Sequence, residues 1–76
     1  MQQITIQLNT INDVKELVTI TSVADFEVDL ISGRYAVDAK SIIGIFSLDM
    51  SSPIKMNIYS DDCDDFIAAL QKFVVG

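Results

Sequence analysis

The stretch from Asp25 to Leu30 alternates without a break between acidic and apolar side chains. An extended strand turns successive side chains to opposite faces, so this pattern buries one face and leaves the other in water. The face predicted to be buried carries Phe26, Val28 and Leu30. A half-buried strand of this kind belongs in a sheet that is covered on one side only. The chain is therefore restricted to folds built on such a sheet.

Three further segments are predicted to supply partners for this strand. Apolar residues recur at every second position in Ile4–Leu8 and again in Ile54–Ile58. Ser32-Gly33 is typical of a tight turn, after which Arg34–Val37 returns as a hairpin partner of the central strand. The sequence thus predicts four strands.

Two longer segments carry apolar residues at helical spacing. The first is predicted to form a helix over Val14–Val23, with Asp13 as its N-cap and Glu16 three residues later in a capping-box relation. The residues of Val18–Thr21 are all β-branched and would individually suit a strand, which leaves a strand open as an alternative there. The second helix is predicted over Asp64–Val74, where acidic residues at the start favour a helix N-terminus.

The segment Lys40–Leu48 holds five apolar residues and, from Ser41 onward, no charge. Ser41 suits the N-cap of a short helix, where its hydroxyl accepts hydrogen bonds from backbone N–H groups of the first turn. The four larger side chains fall in two pairs on different sides of such a helix, namely Ile42 with Ile45 and Ile43 with Phe46. One pair can fill the core while the other stays exposed beside the serine. The alternative is that all four side chains pack under loops.

The predicted order of elements is strand, helix, strand, strand, short helix, strand, helix. Strands with one polar face imply an α+β open-faced sandwich, in which three helices cover one face of a four-stranded antiparallel sheet. The 76 residues fit a single domain over 1–76 with a modest core, because no repeat or linker divides them. Half of the residues are apolar, which suffices for a packed core and argues against disorder.

Composition disfavours several classes of partner. Eleven acidic and five basic residues give a net charge of −6, and the basic residues are scattered, so nucleic acid and anionic membranes are poor partners. No apolar run approaches the roughly 18 residues that span a bilayer, and the first residues lack the basic start of a signal peptide. Cys63 is the only cysteine, which excludes a disulfide within the chain. We therefore expect no membrane insertion and a cytoplasmic location.

The residue types do not assemble an enzyme site. The sequence contains no histidine, so Cys63 has neither a base nor a zinc-ligating partner. The four aspartates that flank this cysteine lack the glycine and the distal glutamate of an EF-hand loop, and acids entering a helix N-terminus are their ordinary explanation. We expect no catalytic residue, no metal and no cofactor.

The order of elements, together with Lys40–Leu48, resembles HPr, the histidine-containing phosphocarrier family of the bacterial sugar phosphotransferase system. Within it, Lys40–Gly44 followed by Ser47-Leu48 is similar to the segment around the regulatory serine of Gram-positive HPr proteins. Ser32-Gly33 resembles the glycine turn upstream of that segment, and Asp61–Leu70 resembles the acidic loop and the start of the final helix. The resemblance covers most of the chain from Phe26 onward and is weaker before it.

A second signature of that family is absent. In HPr, the loop after the first strand carries the phosphorylated histidine, followed by arginine and proline, at the N-terminus of the first helix. The corresponding segment here, Asn9–Val14, is several residues shorter and has none of the three, while Asp13 and Glu16 bring negative charge to it. Because the sequence has no histidine anywhere, we expect no histidine phosphocarrier activity.

The resemblance implies a regulatory or protein-binding module of the phosphotransferase system. Ser41 is then the candidate site of regulatory phosphorylation, a role compatible with N-capping, and Lys40, Ile43 and Phe46 are candidate partner contacts. The implied partners are proteins of the phosphotransferase system or of carbon-catabolite regulation. Two alternatives stay open: a phosphotransfer component with an acidic or serine acceptor, and a diverged relative with an unrelated partner.

Overall fold

The computed structural model describes residues 1–75, in which four strands and three helices follow the predicted order. The strands are β1 (Gln2–Ile6), β2 (Val28–Ser32), β3 (Tyr35–Asp38) and β4 (Ile54–Ile58). The helices are α1 (Ile11–Ser22), α2 (Ile42–Phe46) and α3 (Asp64–Ala69). The helical interpretation of Val18–Thr21 is confirmed, since all four residues lie in α1.

The strands form one antiparallel sheet in the order β1-β4-β2-β3. Met56 of β4 lies between Ile4 of β1 and Leu30 of β2, and Leu30 in turn faces Val37 of β3. This row lies on the face that the helices cover, whereas the neighbouring row, which includes Asn57 and Asp29, lies on the opposite face. The predicted α+β open-faced sandwich is confirmed.

The core lies between the covered face of the sheet and the three helices. It is built from fully buried side chains of the strands, namely Ile6, Val28, Leu30, Ile54, Met56 and Ile58. The helices contribute Val14, Leu17 and Ile45, and Leu70 and Phe73 follow the end of α3. None of the helices formed by residues 1–75 combines the length and the apolar content that crossing a bilayer requires.

Helix α1 begins at Ile11 because Thr10, and not Asp13, is its N-cap. The Thr10 hydroxyl accepts a hydrogen bond from the Asp13 N–H at 3.1 Å, and the Asp13 carboxylate accepts one from the Thr10 N–H at 3.2 Å. This reciprocal arrangement is a capping box with its acidic residue at the third helical position. The prediction that Asp13 caps the helix with Glu16 as its partner is therefore wrong.

The strand boundaries also differ from the prediction: β3 is shifted by one residue, to Tyr35–Asp38, and β2 and β1 are displaced further. The central strand begins at Val28 rather than Asp25, because its pairing with β4 starts where Val28 faces Ile58. Strand β1 ends at Ile6, and Leu8 is fully buried beyond it. In both places the apolar alternation continues past the paired segment, since side chains next to a strand can pack on the same core.

Helix α3 ends at Ala69, five residues before the predicted end at Val74. Turns follow the helix, and the backbone then reaches the free edge of β1. The Gln7 N–H donates to the Phe73 carbonyl at 2.8 Å, the Val75 N–H donates to the Thr5 carbonyl at 3.0 Å, and Val74 forms a bridge with Ile6. The C-terminal part of the predicted helix therefore consists of turns and a short segment that pairs with the edge of the sheet.

Candidate functional site

Helix α2 is a short helix with a serine at each end. Ser41 is its N-cap, with φ −103° and ψ 108°, and the serine hydroxyl accepts a hydrogen bond from the Gly44 N–H at 3.2 Å. At the other end, the Ser47 hydroxyl donates to the Gly44 carbonyl at 2.6 Å. Ser41 is exposed, so its hydroxyl caps the helix at the protein surface. The prediction that Ser41 is the N-cap is confirmed.

The apolar residues of α2 divide between the core and the surface. Ile45 is fully buried, and Ile42 is partly buried against the core. Ile43 is 79% exposed and Phe46 is 42% exposed. We call the surface formed by Ser41, Ile43 and Phe46 the α2 patch. Its exposure decides between the two packing alternatives, because the four apolar side chains do not all pack under loops.

Lys40 lies directly before α2 and is tied to the end of α1. Its ammonium group donates to the Ala24 carbonyl at 3.0 Å, and its backbone N–H donates to the Asp38 carboxylate at 2.9 Å. A second tie comes from Thr21, whose buried hydroxyl donates to the Ala39 carbonyl at 2.7 Å. These bonds fix the chain that enters α2. No sequence signal singles out Thr21, which is one residue of the β-branched run Val18–Thr21.

Gly44 lets α2 approach the sheet closely. A Cβ atom at this position would lie 3.3 Å from the Val37 Cβ and 3.3 Å from the Ser41 hydroxyl oxygen. Both distances are shorter than ordinary van der Waals contact. The glycine therefore leaves room for the capping hydroxyl and seats α2 against β3.

The N-terminus of α1 belongs to the segment Asn9–Val14, which the sequence resemblance matches to the histidine-bearing loop of HPr. Here the Asp13 carboxylate occupies it and accepts hydrogen bonds from the N–H groups of Asn9, at 2.9 Å, and Thr10. Glu16 lies one turn further along and pairs with Lys72, whose ammonium nitrogen is 2.6 Å from the nearer Glu16 oxygen. Of the two acids expected to bring negative charge here, Asp13 does so at the helix end, whereas Glu16 has a cationic partner.

Cys63 and the aspartates around it do not form a metal site in the described part of the chain. Residues 1–75 contain no group of three or more acidic or cysteine side chains placed to hold a metal ion. Cys63 is buried, and burial, followed by the nearby charges of Asp64, Asp61 and Asp62, raises the pKa of its thiol. Asp61 pairs with the N-terminal amine of Met1 at 3.1 Å. The thiol is thus kept in its neutral form.

Comparisons with known proteins connect this arrangement to one family. No protein-family model matches the sequence, and no curated protein matches it. Among solved structures, the chain is similar to HPr-C-His from Thermoanaerobacter tengcongensis, with 28% identity, a TM-score of 0.78, and coverage of 95% of this chain and 89% of that one. It has the fold of the phosphocarrier protein HPr from Bacillus anthracis, with 21% identity, a TM-score of 0.74, and coverage of 97% and 96%.

The two likenesses extend over nearly the whole chain. They include the region before Phe26, where the sequence resemblance is weak. The serine-capped α2 lies in this fold with Ile43 and Phe46 exposed at the surface. The chain is therefore an HPr-like protein.

Proposed function

We propose that this HPr-like protein is a protein-binding or regulatory module of the phosphotransferase system that does not carry phosphoryl groups on histidine. The α2 patch is its contact surface. The observation that carries the proposal is the contrast within one helix between a fully buried Ile45 and a 79% exposed Ile43. An exposed isoleucine beside an exposed aromatic ring gains free energy when a partner covers both.

The N-terminus of α1 supports the loss of histidine phosphotransfer. A phosphoryl group at a helix N-terminus is stabilised by free N–H groups and by the positive end of the helix dipole. At α1 the Asp13 N–H is already bonded to the Thr10 hydroxyl and the Thr10 N–H to the Asp13 carboxylate, whose negative charge lies at this end of the helix. The sequence contains no histidine that could take the phosphoryl group instead.

Ser41 is the proposed switch of the α2 patch. Its hydroxyl is exposed and lies next to Ile43 in the chain, so a kinase could reach it without opening the core. Phosphorylation would add about −1.5 to −2 charges at the edge of the patch. That charge would strengthen the contact with a partner that presents arginine or lysine there and weaken the contact with an acidic or apolar one.

Lys40 is proposed as a further partner contact at the edge of the α2 patch. Its ammonium group would have to exchange the Ala24 carbonyl for a carboxylate of the partner. The proposed partners are proteins of the phosphotransferase system or of carbon-catabolite regulation, and the proposed location is the cytoplasm. Both rest on the family to which the fold points.

A kinase experiment tests the switch. The chain is incubated with ATP and an HPr kinase beside an HPr that the enzyme modifies, and the phosphorylated residue is mapped by mass spectrometry. We expect phosphate on Ser41 and none on the Ser41→Ala variant. Ser47, at the other end of α2, is the internal control, because its hydroxyl is exposed but bonded to the Gly44 carbonyl. Modification of the reference HPr without modification of Ser41 would remove the switch from the proposal.

A binding experiment tests the α2 patch. Calorimetry with the first enzyme of the phosphotransferase system compares the chain with an Ile43→Ser/Phe46→Ser variant and with a Tyr35→Ser control. Tyr35 is 70% exposed but lies on β3, outside the patch. We expect the patch variant to weaken binding by about tenfold or more and the control by less than about twofold. Equal effects of the two variants, or no binding, would contradict this surface.

A further inference from the structure

A second apolar surface lies between α1 and α3, and none of its lining residues belongs to the α2 patch. A cleft of about 420 Å³ opens between the C-terminal end of α1 and the N-terminal end of α3. Its apolar lining consists of Ile20, Val23, Ala24, Phe26, Phe66 and Ala69. We call it the acidic cleft, because Asp25, Asp62, Asp64 and Asp65 also line it.

The floor of the acidic cleft is apolar and fixed. The rings of Phe26 and Phe66 meet edge to face, with centroids 5.2 Å apart, so the loop before β2 is packed directly on α3. Val23 also lines the cleft, and 84% of its surface is exposed. An apolar side chain placed in the cleft would cover Val23 and the exposed parts of both rings.

Negative charge borders this apolar floor on two sides. Asp25 stands on the α1 side, and the other three carboxylates stand on the α3 side. Among residues 1–75, none of the four carboxylates accepts a side-chain hydrogen bond or forms an ion pair. No lysine or arginine lines the cleft. The ammonium group of Lys40, the residue before α2, is hydrogen-bonded to the carbonyl of the cleft residue Ala24.

The charges and the shape together select one kind of occupant. Positive charge is needed on both sides of an apolar group, because carboxylates stand on both walls. A compact amine satisfies the charge but leaves Val23 and the rings uncovered, and an acidic or neutral peptide leaves four like charges without a counterion. We propose that the acidic cleft binds a short basic segment of a partner protein, in which one or two large apolar side chains enter the cleft and flanking lysines or arginines face the aspartates.

A synthetic peptide tests the acidic cleft on the whole chain. The probe is Gly-Lys-Lys-Leu-Phe-Lys-Lys-Gly, and binding is followed in ¹⁵N–¹H correlation spectra. We expect the shifted amides to lie in residues 23–26 and 62–69, with binding several-fold weaker at about 200 mM salt than at about 20 mM. Shifts centred on the α2 patch, or no shifts at millimolar peptide, would overturn the proposal. Ile43→Ser is expected to bind the probe unchanged, which separates this cleft from the surface proposed above.

Matched variants test the charge on the cleft walls. Asp62→Asn/Asp65→Asn raises the net charge by two at the cleft, and Glu27→Gln/Asp49→Asn raises it equally at two residues that do not line it. We expect the first pair to weaken binding by about fivefold and the second by less than about twofold. Equal effects of the two pairs would mean that only the overall charge attracts the peptide, and the proposal would fail.

Changes to the apolar groups complete the test. Val23→Ser changes an exposed side chain and leaves the core intact, and we expect it to weaken binding by about threefold. A probe with serine in place of leucine and phenylalanine is expected to lose binding almost completely. If that probe, or spermidine, bound as tightly as the original, the cleft would be a general attractor of cations and not a site for a basic apolar segment.

Discussion

Individual polar side chains decide where α1 and α2 begin, whereas α3 has no side-chain cap. Thr10 starts α1, and Ser41 starts α2. The second was predictable because a lone serine precedes an apolar run. The start of α1 was not predictable in this way, because Asn9, Thr10, Asn12 and Asp13 are all residue types that commonly serve as N-caps. The spacing of threonine and aspartate three residues apart is the signal that selects Thr10.

The thiol of Cys63 predicts how stability depends on pH. Burial raises the pKa of this thiol above its ordinary value of 9.0, whereas the thiol of the unfolded chain ionises near that value. The stability that comes from keeping the thiol neutral is therefore complete below about pH 8.5 and is lost as the pH rises above it. Urea denaturation between about pH 7.5 and 9.5 is expected to show a declining free energy of unfolding.

The Cys63→Ala variant supplies the control for this decline. It removes the thiol from both states, so the difference between the two proteins isolates the contribution of Cys63. Tyr59 is present in both proteins, so ionisation of its phenol, whose pKa is raised by the interaction with Asp29, cancels from the difference. A decline of the same size in Cys63→Ala would show that the thiol is not its source.

The structure of α2 predicts that alanine substitution of Ile45 destabilises the fold strongly, whereas alanine substitution of Ile43 barely affects stability. Ile45→Ala should lower the free energy of unfolding by about 2–5 kcal/mol, because it empties a fully buried position. Ile43→Ala should change it by less than about 0.5 kcal/mol, because the side chain is already in water. Urea denaturation measures both, and Ile45→Val, expected to cost about 0.5–1.5 kcal/mol, serves if the alanine variant does not fold. Similar costs for both alanine variants would contradict this division of the helix.

Helix α3 shows where an apolar pattern alone misleads. Phe66, Ile67, Leu70, Phe73 and Val74 recur at helical spacing, yet only the first two lie inside the helix. The turns after Ala69 keep Leu70 and Phe73 buried, so the pattern continues although the helix does not. The early end is explained by tertiary pairing, because the backbone of residues 73–75 satisfies the open edge of β1.

For the molecule as a whole, the alternation of apolar residues was enough to predict the sheet, its covered face and the class of fold. Leu30 and Met56 lie in the core as their pattern requires. The strand order and the acidic cleft were not predictable, because both depend on which distant segments meet. The cleft forms because Phe26, which follows α1, packs on Phe66 of α3. The α2 patch was predictable in part. The sequence predicted the two apolar pairs, but only the structure shows which pair is exposed.

The fold points toward a phosphocarrier, whereas the absence of histidine argues against phosphoryl transfer through that residue. A family member that retained phosphotransfer would need another acceptor, and the acidic N-terminus of α1 disfavours one there. The decisive measurement is the intact mass of this chain after incubation with phosphoenolpyruvate and the first enzyme of the phosphotransferase system, with a histidine-bearing HPr in the same reaction. We predict that the reference HPr gains one phosphoryl group and that this chain gains none. A phosphoryl group transferred to this chain, whether acid-labile or base-labile, would contradict the proposal that it is a binding module.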